Sequence, residues 1–449
     1  MVLSLLLTTV ALAGSASNKD PSRQAPDYRQ APAVAREEWN YFAPPGWRIF
    51  FHGVSDVGGN LYWAECGPRG LCDIVSVSSD GSLRFRVPGQ QSPLRSRVER
   101  GRLVLIGDLL MESLEPGVIR ALRSSDGGEA WRHVLGGELC GGSAGTSPGA
   151  LQLQSITGGA PGQMFLEAHG VACGLGARRH WILSLASSTG ELRWTKHFDR
   201  SPSELVADGR GAIYVRTELP GDDGWYRSFL LSFDAEGVEQ WRTEASWTSR
   251  PVAVAGDSLF DSERNVWRAS AGSLAFKLPW EPAWAGFRNA FTVSDGRSAF
   301  AIARQKGECP GPDCSLRLHR VDLGGSQTEW SIVLARGNRV STSEPILTAE
   351  GTVLFAQSVG FESVLREFSS DGTEIRTEAL PGGPYSGAIA LVGDRWVTAM
   401  GSPASQLRAF HTVAQPARRG WMSWCGDQGC AGRPGEERAP VAARRPSRR

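Results

Sequence analysis

Short runs of alternating apolar and polar residues, each broken by a glycine-bearing turn, repeat along most of the 449-residue chain. Period-two alternation marks a half-buried strand, because successive side chains point to opposite faces. The stretch from Trp181 to His197 shows one such unit. Ile182 to Leu185 alternates, Ser188-Thr189-Gly190 supplies a turn, and Leu192 and Trp194 resume the alternation. Glycine suits the turn because it adopts positive φ without a Cβ clash. No long stretch carries the 3.6-residue period of an amphipathic helix, so the chain is predicted to be all-β.

Two kinds of turn take turns along the sequence. The first places a glycine just before an apolar strand, at Gly59, Gly101, Gly162, Gly211, Gly256, Gly296, Gly351 and Gly393. The second follows an alternating strand and often leads to an aromatic residue four positions later. It occurs at Gly81, Gly127, Gly190, Gly237, Gly272, Gly324 and Gly372, with a degenerate copy near Gln415-Pro416. The Gly-to-aromatic spacing alone proves little, since random placement gives about four instances. The strict alternation is harder to dismiss. Eight units at about 48 residues each leave room for four short strands apiece, the period of a β-propeller blade. A four-stranded sheet cannot bury both of its faces alone, whereas a ring of sheets packs each face against a neighbour. The chain is therefore expected to form a β-propeller of four-stranded antiparallel blades. Unit five is short and unit three carries a Gly/Ser-rich insert, so eight blades is the preferred count and seven the alternative. Phe85, Trp131, Trp194, Trp241, Phe276 and Trp330 are expected to fill the gaps between blades, where burial of one such ring stabilises by about 2–3 kcal/mol. The competing reading makes them sugar-stacking platforms, which would not need the same phase in successive units.

Composition supports this picture. The chain is 41% hydrophobic and 9% aromatic, enough to build a large core. Its 54 glycines and 26 prolines suit many strands joined by tight turns. A net charge of +1 gives no overall field for nucleic acid or an anionic membrane. The basic run Arg444-Arg445-Pro446-Ser447-Arg448-Arg449 reads as a solvated terminus.

The T-G-x-x-x-W pattern from Thr189-Gly190 to Trp194, with relatives at Asp234 to Trp241 and Asp126 to Trp131, resembles the tryptophan-docking repeats of quinoprotein-like (PQQ-like) propellers of secreted bacterial proteins. The resemblance spans most of residues 45–424 and extends to the scaffold of the outer-membrane barrel-assembly propeller subunit, without a lipid-anchor cysteine. It implies eight blades. Quinoprotein dehydrogenases hold their cofactor with calcium and a set of acidic and Asn ligands, some with a vicinal disulfide. This chain has no adjacent Cys-Cys pair and no D-x-D-x-D-G loop, so the resemblance carries the scaffold without the site and no cofactor is expected.

Residues 1–16 are expected to be a secretion signal. Val2 to Ala13 is apolar but too short to span a bilayer, and Ala11-Leu12-Ala13 or Gly14-Ser15-Ala16 fits a small-x-small cleavage site. A buried strand is the alternative for this run, and the missing basic segment before it leaves the true start codon open. Residues 17–44 read as a Pro-rich linker, 45–424 as the propeller and 425–449 as a disulfide-bearing Arg/Pro-rich tail. No other segment is apolar for long enough to cross a membrane. The eight cysteines fall into short loops that pair locally as Cys66–Cys72, Cys309–Cys314 and Cys425–Cys430, leaving Cys140 and Cys173 to pair. Zinc is the rival, but two-residue ligand spacing is absent and a secreted chain favours disulfides.

Other candidate chemistry weighs little. Ser124 to Trp131 fits one Asp-box of sialidase-type propellers, a turn structure remote from catalysis. Gly141-Gly142-Ser143-Ala144-Gly145 matches G-x-S-x-G but lies in a Gly/Ser loop, outside the strand-to-helix turn that a nucleophile elbow requires. His52, His133, His169, His180, His197, His319 and His411 show no metal-ligand spacing. The expected function is a non-catalytic extracytoplasmic scaffold, monomeric, binding a protein or glycan on one rim, with no nucleic acid. Under this reading the cysteine-closed loops are stapled recognition elements, or bonds that only toughen exposed loops. The alternative is a secreted enzyme on the same scaffold, either a quinone-dependent dehydrogenase or a glycoside hydrolase.

Overall fold

In a computed structural model the described residues run from 33 to 412, apart from segments between strands, of which the longest are 89–102, 140–150, 279–290 and 305–314. They form thirty-four β-strands and no α-helix. The strands make eight four-stranded antiparallel blades arranged as a β-propeller. Blades one to six span residues 48–87, 104–134, 151–198, 203–244, 251–277 and 291–336. Blade seven spans 340–379, its first strand split into Val340–Thr342 and Ile346–Leu347. Blade eight takes Tyr385–Val392, Arg395–Gly401 and Ala404–His411 from the end of the ring and its fourth strand, Glu37–Phe42, from the beginning. First strands of adjacent blades contact one another around most of the ring, which places them innermost.

The described glycine turns lie where the alternation put them, except in blade two. Gly101, Gly296 and Gly393 lie outside the described residues, and the first turn of blade two is made by Gly107, at φ +65°, between Val104–Ile106 and Leu109–Leu114. The run Leu103 to Ile106, read as the second strand of its unit, forms the first because it is followed at once by another apolar run. Blade five is short because its middle strands, Ser258–Asp261 and Asn265–Arg268, are four residues each and joined by a tight turn. The Asp261 carboxylate accepts the backbone N–H of Glu263 and of Asn265 there, and Arg264 takes φ +74°.

Successive blades are joined by one repeated contact. The Trp131 indole of blade two lies flat on Gly190 of blade three, so that a Cβ on that glycine would come within 2.7 Å of the ring. Its Nε1–H donates to the Ser187 carbonyl in the same turn at 3.0 Å. The arrangement repeats with Trp194 on Gly237, Trp241 on Gly272 and Trp330 on Gly372. Their indole N–H groups donate to the carbonyls of Ala235, Ala269 and Ser370 at 2.8, 2.8 and 2.9 Å. Phe85 lies on Gly127, and having no N–H it makes no hydrogen bond to the turn. Between blades seven and eight an arginine stands where the indole would be. Arg376 donates to the His411 carbonyl at 3.1 Å and to the Thr412 hydroxyl at 2.7 Å.

Closure of the ring uses the stretch read from sequence as linker. Residues 33–42 are strands rather than linker: Ala33–Val34 adds in parallel to the outer strand of blade seven, and Glu37–Phe42 completes blade eight. The two strands are short, and the prolines around them mask the alternation. Trp39 then lies on Gly81 of blade one and donates to the Ser79 carbonyl at 2.9 Å, continuing the series across the seam. Beside it, Arg86 joins buried Glu65 at 2.6 Å, Asp73 at 3.1 Å and the Tyr41 hydroxyl at 2.7 Å, while the Trp63 indole N–H donates to Glu65 at 3.1 Å. Buried charge is costly unless it is paired and hydrogen-bonded, and here Asp73, Tyr41 and Trp63 surround the Arg86–Glu65 pair.

Two outcomes test the interblade contact. Gly190 and Gly162 both have positive φ, +75° and +79°, but only Gly190 faces a ring, with nothing within 4 Å of a Cβ at Gly162. Gly162→Ala should cost about 1 kcal/mol of backbone strain, and Gly190→Ala about 2–4 kcal/mol in denaturant unfolding. Equal losses would show that the indole can yield. Phe276 is a phenyl ring where most of the series carries an indole, and beside it Trp267, Leu323 and Gly324 line a cavity of about 120 Å³. Phe276→Trp should fill it and raise stability by about 1 kcal/mol in a thermal melt.

Candidate functional site

Antiparallel blade topology sorts the connections onto two ends of the ring. The first-to-second connections of the blades and the third-to-fourth connections of blades one to seven lie at one end, and they are short. The loops between second and third strands, together with the connections from blade to blade, lie at the other. Loops held by a rigid scaffold are where binding surfaces are built, so the loop end is the place to look. Cys66 and Cys72 are cross-strand partners there, at the ends of Leu61–Cys66 and Cys72–Val77, and they form a disulfide. Cys140, Cys173, Cys309, Cys314, Cys425 and Cys430 lie outside the described residues, as do Gly141 to Gly145, Gln415-Pro416 and residues 1–16.

At the loop end of blade four, two tryptophans break the pattern of the rest. Of the twelve described tryptophans, ten are buried or half-buried, whereas Trp225 is 77% and Trp247 72% exposed. Trp225 closes the hairpin between Ile213–Pro220 and Tyr226–Phe233, its carbonyl accepting the Gly221 N–H at 2.7 Å. Trp247 stands two residues past the last ladder bond of the outer strand, Ala245 N–H to the Ser228 carbonyl at 3.0 Å. From the connection between blades three and four, the Arg200 guanidinium stacks on the Tyr226 ring at 4.5 Å from its centre.

The segment that carries Trp247 is held firmly. The Ser249 N–H donates to the Ser246 carbonyl at 2.9 Å, and the Ser249 hydroxyl bonds buried Asp261 of blade five. The Ser246 hydroxyl donates to Glu263 at 2.9 Å. Around the rings, Arg227 pairs with Glu244 at 4.0 Å. The face of the Arg200 guanidinium rests on Tyr226.

The residues singled out from sequence sit elsewhere. Trp131, Trp194, Trp241, Phe276 and Trp330, with Phe85, lie between blades, and none stands in these loops. Asp126 of the Asp-box accepts the Gly128 N–H at 2.8 Å and pairs with Arg123, as a turn-stabilising residue does. His169 and His180 face each other across two strands of blade three with ring centres 5.7 Å apart, and His169 bonds Gln152 at 2.9 Å. Among the described residues no three potential metal ligands converge. Trp225 and Trp247 do not stand four residues after a glycine of either turn series, and the sequence signal that marks them is the converse, an indole out of phase and outside a strand.

His319, in the third strand of blade six, is buried, and desolvation with the nearby Arg317 charge pushes its imidazole down to about 4. The neutral form is therefore the folded one. The unfolded chain takes up a proton near pH 6.5, so this residue's contribution is present above that value and is lost as pH falls toward about 4. Between pH 6.5 and 4 the wild type should lose more stability than a His319→Gln variant in paired melts. Parallel curves would remove this role.

No family model and no curated protein sequence matches the chain. Solved structures resemble it in shape. A europium-containing methanol dehydrogenase is 12% identical, with 81% of this chain and 84% of that one covered at a TM-score of 0.53. The computationally designed protein Ika8 is 12% identical over 84% of this chain and 99% of its own, at a TM-score of 0.50. BamB from Moraxella catarrhalis is 12% identical over 80% and 83%, at a TM-score of 0.33. At this identity the first two show the fold, which an enzyme and a designed protein share.

Proposed function

We propose that the protein is a non-catalytic binding scaffold outside the cytoplasm, which captures its protein or ligand on the loop end of the ring. The observation that carries this reading is the exposure of Trp225 and of Trp247 in the loops of blade four. Leaving two indoles in water forfeits several kcal/mol of burial that the same chain collects at its other described tryptophans. Such exposure makes sense where a partner supplies the cover. The Cys66–Cys72 disulfide supports an oxidising compartment, in line with the apolar start of the sequence. The enzyme alternative has no described cluster of residues in its favour, and the likeness to a dehydrogenase is one of fold.

A photo-crosslinking side chain placed at Trp247, and in a second variant at Leu83 on the turn end, tests the assignment in cells. Leu83 is a fair control because it is 56% exposed at the opposite end of a blade. Adducts should form from position 247 alone, in an envelope or culture-supernatant fraction. Equal labelling from both positions, or turnover of a quinone-coupled or glycosidic substrate by the purified protein, would replace this reading.

A further inference from the structure

The disulfide at the loop end of blade one grips more than its own hairpin. Cys66 and Cys72 face each other at the ends of Leu61–Cys66 and Cys72–Val77, and the next rung of the ladder pairs Glu65 with Asp73. Both carboxylates hold Arg86 of the outer strand, at 2.6 and 3.1 Å. Arg86 in turn donates at 2.7 Å to the hydroxyl of Tyr41, which belongs to the ring-closing strand Glu37–Phe42. The Tyr41 ring also stands edge-on to Trp63, with 5.0 Å between centres, and the Trp63 indole donates to Glu65. A second route leaves the same bond. Residues 43–47 connect the closing strand to the first strand of blade one, Arg48–Ser55. Within that connection Gly46 and Trp47 lie against the disulfide loop. A Cβ on Gly46 would come within 3.3 Å of Pro68, and one on Gly67 within 3.0 Å of the Trp47 indole. The loop is further held by the Gly67 N–H, which donates to the Leu71 carbonyl at 2.8 Å. Arg86 joins the two routes, its guanidinium 5.5 Å from the centre of the Trp47 ring.

Both sets of contacts require the ends of the two hairpin strands to stay together. Strand ends beside a loop open first, and here a covalent bond prevents it. We propose that the Cys66–Cys72 bond is a redox latch on ring closure. Oxidised, it fixes the loop end of Glu37–Phe42; reduced, it lets that end lift from Ala404–His411, while Trp39 on Gly81 keeps the far end docked. The reductant is a dithiol. Cys66 is buried and Cys72 half-buried, so a dithiol thiolate attacks the Cys72 sulfur. The S–S bond breaks, and the Cys66 sulfur leaves with the bonding pair and takes a proton. The second thiol of the reductant then displaces Cys72 from the mixed disulfide, leaving two cysteine thiols and an oxidised dithiol. The latch is independent of the loop-end capture proposed above.

Hydrogen exchange on the purified full chain tests this, read on peptides covering 40–47 and, as a remote outer strand, Leu192–Phe198. Reduction by dithiothreitol under native conditions, with Cys66 and Cys72 followed by alkylation and mass spectrometry, should speed exchange at 40–47 by about tenfold or more. Exchange at 192–198 should stay within about twofold. A Cys66→Ser/Cys72→Ser variant should behave likewise without reductant, which separates this bond from the other cysteines. Tyr41→Phe should speed exchange at 40–47 in the oxidised chain and add much less to the Cys66→Ser/Cys72→Ser variant, because both changes act through Arg86. Should the double variant not fold, the reduced wild type and Tyr41→Phe give the same reading. Exchange at 40–47 that ignores the redox state, acceleration shared equally by 192–198, or thiols that form only on global unfolding would each overturn the proposal.

Discussion

The structure depends on one contact made repeatedly, an indole of one blade lying on a turn glycine of the next. The glycine serves twice. It gives the third-to-fourth turn its positive φ, and by lacking a Cβ it lets a flat ring come within ordinary contact of the backbone. The indole also serves twice, covering apolar surface and returning its one polar hydrogen to a carbonyl in the same turn. Neither residue could be exchanged without cost to the other. Where the pair is weakened, as at Phe276, a cavity opens beside the ring. Where the ring is replaced, Arg376 recovers the hydrogen bond to the next blade without the flat surface.

A ring built from neighbour contacts must also meet itself. Eight copies in tandem would leave the last blade and the first with no covalent tie at the seam. The chain instead lends its first long strand to the last blade, so that separating blades eight and one also means breaking a strand ladder. Trp39 carries the interblade contact across the join, and the Arg86 network fastens the same edge. With most third-to-fourth glycine turns committed to packing at one end, sequence freedom accumulates at the other. The exposed aromatics stand there.

Much of this was legible in the sequence because the turn glycines and the rings that meet them recur in fixed order. Alternation named the strands, and the phase of Trp131, Trp194 and Trp241 relative to Gly127, Gly190 and Gly237 pointed to sheet-on-sheet packing. The ring closure was not legible. Glu37–Phe42 pairs with Ala404–His411, more than 360 residues away, and no local pattern announces a partner at that separation. Arg376 was equally hidden, since an arginine at an aromatic position reads as an interruption rather than a substitute. The Gly101 turn was misplaced because two apolar runs follow one another without a polar break.

The candidate site was hidden for a different reason. Tryptophan is the residue this chain uses to hold its blades together, and composition alone cannot separate an indole that binds from one that packs. Phase and burial can. Trp131, Trp194 and Trp241 each stand four residues after a turn glycine, and each is covered by the next blade. Trp225 follows the hairpin loop and Trp247 follows the end of an outer strand, so neither stands over a turn glycine of the next blade, and each keeps most of its surface in water. An indole so exposed adds little to the fold by burial.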